Sequence, residues 1–170
     1  TTIKDDTTSF NLDCEIYTLI PDPNFEDKLI ALGLDTDGKN GKVITRNINS
    51  ITSLNVSSSL ITNLTGIQDF LALKKLNCSN NPITSLDVSR NIALTDLSCN
   101  GNSGSTNGGG NGKLTSLDLS KNINLYILNC SYNQITSLDI SGCPDLKGLY
   151  CNINKITTIT STNTKLTNVD

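Results

Sequence analysis

No histidine occurs in the 170 residues, and that absence removes both the commonest general base and any mixed Cys/His zinc site. The six cysteines form no Cys-x-x-Cys pair, so metal ligation and dithiol redox chemistry lack their usual spacing. Lysine and arginine number 13 against 16 acidic residues, a net charge of −3 with no basic run. Phosphate backbones require clustered cations, so no nucleic-acid partner is expected. No stretch approaches the ~20 apolar residues of a membrane span, so no membrane insertion is expected. Methionine is also missing, and the chain begins at Thr1, as a segment would after removal of a signal peptide. The serines and threonines have no evident base beside them, and the expectation is a protein that is not an enzyme and needs no cofactor.

What is present is repetition. LKKLNCSNNPITSLDVSRNIA from Leu73, LTDLSCNGN from Leu94, LYILNCSYNQITSLDISGCPD from Leu125 and LKGLYCNINKITTI from Leu146 can be laid over one another at a period of 21 residues. Each carries Leu-x-x-Leu-x-Cys-x-x-Asn, and a degenerate copy begins at Ile51 with Leu54 and Val56. The second copy resumes at Leu114, Leu117 and Leu119 after the Gly-rich insertion 103–112, whose removal restores the spacing. No GK[ST] follows that insertion, so it reads as a mobile side loop and not as a phosphate loop. A repeat this short cannot bury its own apolar side chains and must stack against its neighbours. Alternation puts Leu76 and Cys78 inward and Lys75, Asn77 and Ser79 outward.

This pattern resembles the bacterial leucine-rich repeat proteins of the internalin type, in the branch whose short repeats carry a cysteine ladder. The resemblance covers roughly residues 48–160. It implies an α/β fold: a right-handed leucine-rich repeat solenoid with a parallel concave β-sheet, few helices, mostly strand and loop, and an N-terminal helical cap. It also implies that Asn81, Asn102, Asn133 and Asn154 bond buried backbone groups of neighbouring turns. The expected organisation is an N-terminal tail or edge strand over residues 1–20, the cap over 21–47, five repeats over 48–165, and a C-terminal fragment or cap over 166–170.

Cys78, Cys99, Cys130 and Cys151 read as small hydrophobes filling inward positions, and side-by-side sulfurs on parallel strands suit a disulfide poorly. Cys14 and Cys143 lie outside that ladder. Cys143 takes the place of Asn91 and Asn122, and a Cys14–Cys143 bridge stays open. In the cap, Asp22 and Pro23 start a short helix with Phe25, Leu29, Ile30 and Leu32 as its apolar face, ended by Gly33. After it, Asp35, Asp37, Asn40, Gly41 and Val43 echo an EF-hand calcium loop. One residue is inserted, Lys39 is cationic, and Arg46 or Asn47 stands where a bidentate Glu belongs. The segment therefore reads as a solvated turn, with no metal expected. Asp35, Asp37 and Asn40 are the side chains to test for calcium.

On the concave sheet the column before the cysteine reads Asn55, Asn77, Ser98, Asn129, Tyr150, and the one after it Ser57, Ser79, Asn100, Ser131, Asn152. Short neutral donors and acceptors suit sugar hydroxyls or a peptide. Tyr126, Tyr132 and Tyr150 cluster on the last two repeats, and tyrosine supplies rigid contact area with a polar tip. The expected binding residues are Tyr126, Asn129, Tyr132, Tyr150 and Asn152. The expected function is a secreted or cell-surface domain, adhesion-type, that binds a protein or glycan. The alternative is a structural protein that self-associates end to end through the solenoid ends into a filament or layer.

Overall fold

The structure, a computed structural model, describes residues 15–101 and 112–170. Cys14, Asn102 and the body of the Gly-rich insertion lie outside the described residues, and with them the bridge, the ladder role and the side loop expected there. The elements in chain order are β1 (Tyr17–Leu19), α1 (Pro23–Ala31), β2 (Lys42–Ile44), α2 (Thr45–Ile48), β3 (Ser53–Asn55), β4 (Lys75–Asn77), β5 (Asp96–Ser98), β6 (Ile127–Asn129), β7 (Ser137–Asp139), β8 (Gly148–Tyr150), β9 (Thr158–Thr160) and β10 (Asn168–Val169). A 3-10 turn, Ile67–Asp69, lies between β3 and β4.

One apolar residue per turn sets the stack. Leu54, Leu76, Leu97, Leu128, Leu149 and Val169 stand opposite one another along a six-stranded parallel sheet of order β10-β8-β6-β5-β4-β3. All but Val169 are buried. The fragment at the C-terminal end therefore adds a sixth rung, although its side chain is 62% exposed. A second, shorter parallel pair, β7 and β9, lines another side of the coil. Two residues beyond each inward leucine come Val56, Cys78, Cys99, Cys130 and Cys151, each N–H donating to the next rung. Cys78, Cys99 and Cys130 are buried, and Cys151 is half-buried. Burial pushes the Cys78 and Cys130 thiols up to about 12 and Cys99 well above its ordinary value, so these sulfurs stay protonated and act as packing groups.

Asparagine amides tie the turns together. Asn81 Nδ2 donates to the carbonyls of Val56 (2.8 Å) and Cys78 (2.9 Å), and its Oδ1 accepts from the N–H groups of Ser59 and Ile61, both at 3.0 Å. Asn133 bridges Cys99 and Cys130, and Asn154 bridges Cys130 and Cys151. A second column works on the far side. Asn91 donates to Ile67 and Phe70, Asn122 to Val88 and Asn91, and Asn163 to Cys143 and Leu146. Cys143 stands in this column where an amide would be. It is fully buried, with Sγ 3.9 Å from the Leu119 carbonyl.

The insertion has a narrow neck. A Cβ on Gly101 would lie 2.1 Å from the Tyr132 carbonyl and 2.3 Å from the Gly112 nitrogen, and one on Gly112 would lie 2.2 Å from Asn133 Oδ1. Only glycine lets the chain leave and return so close to the asparagine that holds the next turn.

The cap is built on Asp22. Its Oδ1 accepts from the N–H groups of Asn24 (2.9 Å) and Phe25 (3.0 Å), starting α1, while Oδ2 accepts from Thr62 N–H (2.8 Å), Thr62 Oγ1 (2.6 Å) and Asn63 N–H (3.0 Å) in the first repeat. Burial alone would raise this carboxyl, but the Thr62, Phe25 and Asn63 donors outweigh it and hold the group below its usual range. A depressed native value gives stability that is present above the unfolded value of about 4 and lost as pH falls through the native one. Asp22→Asn is therefore expected to cost about 1–3 kcal/mol at neutral pH. The deficit relative to the unmutated chain narrows below about pH 4. Thermal melts across pH 7 to 3 check both.

Gly33 ends α1 with φ +71°. Phe25 and Leu29 are fully buried, and Phe25 stacks on Phe70 at 6.5 Å. The apolar face is narrower than expected. Ile30 is half-buried and Leu32, at the C-cap, is exposed, because the chain turns away at Gly33. Strand β1 pairs antiparallel with β2 and does not extend the edge of the solenoid sheet.

Candidate ligand-binding surface

The outward residues of the sheet are set by the same register. Strand by strand they are Ser53 and Asn55, Lys75 and Asn77, Asp96 and Ser98, Ile127 and Asn129, Gly148 and Tyr150. Just before each strand a further column runs Thr52, Lys74, Thr95, Tyr126, Lys147, Thr167, each N–H donating to the carbonyl of the one before. These columns enclose an open groove of about 1050 Å³ lined by Lys74, Asp96, Tyr126, Ile127, Lys147 and Lys165 among others.

The groove carries uncompensated positive charge. Lys75 lies 3.9 Å from Asp96 and Lys165 is paired with Asp145, whereas no carboxylate pairs with Lys74 or Lys147 among the described residues. Lys147 Nζ sits 5.1 Å from the Tyr126 ring centroid, a cation–π contact that leaves the ammonium free for an anion. Tyr126 is 43% exposed.

The five residues expected to bind are divided by the structure. Tyr126 lines the groove. Tyr150 borders it, because Gly148 has no side chain: a Cβ there would meet Tyr150 Cε2 at 3.5 Å and Ile127 Cγ1 at 3.7 Å. Asn129 is half-buried, and its Oδ1 accepts the Ser131 N–H at 3.2 Å, as Asn55 and Asn77 do for Ser57 and Ser79. Asn152 is half-buried and donates to Asp170 Oδ2 at 3.2 Å. Tyr132 sits apart, on the turn against the neck of the insertion, with φ +58°.

The column after the cysteines is less exposed than alternation predicts. Ser79 and Ser131 are buried, and Ser79 Oγ donates to Asn100 at 2.6 Å. The strands have already ended at Asn77 and Asn129, and two residues past the cysteine the backbone turns left-handed at Asn80, Tyr132 and Ile153, so period two no longer holds. The recurring Asp87, Asp118 and Asp139 each accept the N–H of the serine two residues on. Those serine donors hold all three carboxyls below the usual range, which commits them to turns. Lys74 and Lys147 fall outside the columns that flank the cysteine. Their signal was present in LKKL and LKGL, where the residue after the first leucine is cationic.

The family described as leucine rich repeats, in two copies, matches residues 123–169. Among solved structures, the functional domain of InlJ from Listeria monocytogenes, which includes a cysteine ladder, aligns at 31% identity and TM-score 0.69 over 92% of this chain and 36% of that one. The leucine-rich repeat domain of APL1B aligns at 21% identity and TM-score 0.54 over 75% of this chain and 37% of that one. Internalin C2 from Listeria monocytogenes aligns at 22% identity and TM-score 0.52 over 84% of this chain and 75% of that one. The last two speak to fold alone. The chain spans about a third of the length of the first two structures. No curated protein matches it.

Proposed function

Because this chain is a leucine-rich repeat protein whose solenoid is of the internalin type, we propose that it is a non-catalytic binding module. It works outside the cell or on its surface and takes a partner protein along the groove before the strands. The observation that carries this reading is the pairing of exposed Tyr126 and half-buried Ile127 with two lysines, Lys74 and Lys147, that have no acidic partner among the described residues. An extended segment with alternating acidic and apolar side chains fits that chemistry, and aromatic anchors give such contacts most of their energy. A glycan is the other ligand class, and a glycan array beside a surface-protein array separates the two.

Tyr126→Ala is expected to leave the melting temperature within a few degrees, since the residue is 43% exposed, and to weaken an identified partner by about tenfold or more. Affinity should also fall as salt rises, by screening of Lys74 and Lys147. Unchanged affinity in the variant removes the groove from the account. The second reading, end-to-end self-association, has one observation behind it: β10 has an unpaired outer edge in the described sheet, and Ile159 and Val169 are exposed. Growth of molar mass with concentration in light scattering, with rods in micrographs, would support it.

A further inference from the structure

The unpaired cations of the groove stand at a fixed spacing. Lys74, Thr95, Tyr126 and Lys147 follow one another down a single hydrogen-bonded column: Thr95 N–H donates to the Lys74 carbonyl at 2.8 Å, Tyr126 N–H to that of Thr95 at 2.7 Å, and Lys147 N–H to that of Tyr126 at 2.9 Å. Along the strand order β4-β5-β6-β8 the two lysines are therefore three rungs apart, about 14 Å at the usual separation of neighbouring strands. The leucines stacked in register behind the column hold that distance. Between the lysines the lining changes character. Asp96, one rung from Lys74, brings a carboxylate whose Oδ2 accepts Thr95 Oγ1 at 2.7 Å, and Tyr126 and Ile127, one rung from Lys147, bring apolar surface. Lys75 and Lys165 are engaged by Asp96 and Asp145, which leaves Lys74 and Lys147 to receive an anion.

Few polypeptide conformations present two carboxylates at that distance on one face. An extended strand advances about 3.3 Å per residue, so four residues span about 13 Å, and because its side chains alternate, positions i, i+2 and i+4 face the same way. A helix takes about nine residues to cover the span, and nine residues of helix leave the two side chains on opposite faces. The middle position, i+2, falls over Asp96, Tyr126 and Ile127, where an apolar side chain finds contact and a carboxylate meets a like charge. We propose that the groove selects an extended segment of a partner protein with Asp or Glu at i and i+4 and an apolar residue at i+2, its two carboxylates on Lys74 and Lys147. This rests on the groove being the binding surface and adds the spacing it reads. Positions i+1 and i+3 point away from the sheet and are unconstrained.

Fluorescence anisotropy with labelled, end-capped synthetic peptides tests the spacing. One probe has the core Glu-Thr-Leu-Thr-Glu between Gly and Ser flanks, and two others rearrange the same residues as Glu-Thr-Glu-Thr-Leu and Glu-Leu-Thr-Glu-Thr, so that composition and charge are equal and only the spacing differs. In roughly 20 mM salt, where screening is weak, the first is expected to bind more tightly than either of the others by about fivefold, the effect of one well-placed ion pair. Lys74→Gln and Lys147→Gln, both at exposed positions, should each bring the first probe down to the level of the other two without moving the melting temperature. Equal binding of all three probes, each weakened by Tyr126→Ala, would overturn the spacing and leave the groove as the site. Binding that Tyr126→Ala does not change, or no binding of any probe, would remove the groove itself and this inference with it.

Discussion

Asn81→Ala is expected to destabilise the solenoid by about 3 kcal/mol or more, read as a fall in the urea midpoint followed by far-UV circular dichroism. The side chain is 2% exposed and joins two consecutive turns. Its loss strands the Ser59 and Ile61 N–H groups and the Val56 and Cys78 carbonyls together. Each buried backbone group left unpaired costs about 1–3 kcal/mol, while relaxation and water recover part of the sum. Asn81→Asp should fare no better despite its shape, because a carboxylate would face the carbonyls that the amide now satisfies. A change below about 1 kcal/mol would show that water replaces the amide and that the ladder does not hold the turns.

Leu128→Ala is the second large effect, at about 2–5 kcal/mol. Leu128 is fully buried and sits between Leu97 and Leu149 in the middle of the sheet. A cavity there removes contacts from both neighbouring interfaces, and in a solenoid stability is a sum over such interfaces. Val169→Ala is the matched control. It occupies the equivalent position on the last rung but is 62% exposed, so its cost should stay within about 0.5 kcal/mol. Equal effects at the two positions would mean that the register is wrong.

The scaffold was readable because repetition averages out local ambiguity. One copy of Leu-x-x-Leu-x-Cys-x-x-Asn is a weak signal, but four in register fix which side chains point inward, and the asparagines then have a task that any buried turn imposes. The surface was harder to read. Alternation identified Asn129 as outward, yet could not show that Ser131 N–H occupies its oxygen. It also placed Ser79 and Ser131 outside, although the strands end before them. Tyr126 is legible from its residue type and Lys147 beside it is not, since a lone lysine carries little information until its neighbours in space are known. Asp35 is the opposite case: the sequence reads its segment as a solvated turn, yet the side chain is 3% exposed, and burial depends on how the cap packs and not on the loop's own spacing.

Gly101 and Gly112 touch, and β5 and β6 on either side of them pair in the same parallel register as the other rungs. Closing a longer loop at such a point costs only a few tenths of a kcal/mol for modest lengthening. The neck is thus a graft site. A reporter peptide or an epitope should be accommodated between these two glycines with the stack on either side undisturbed.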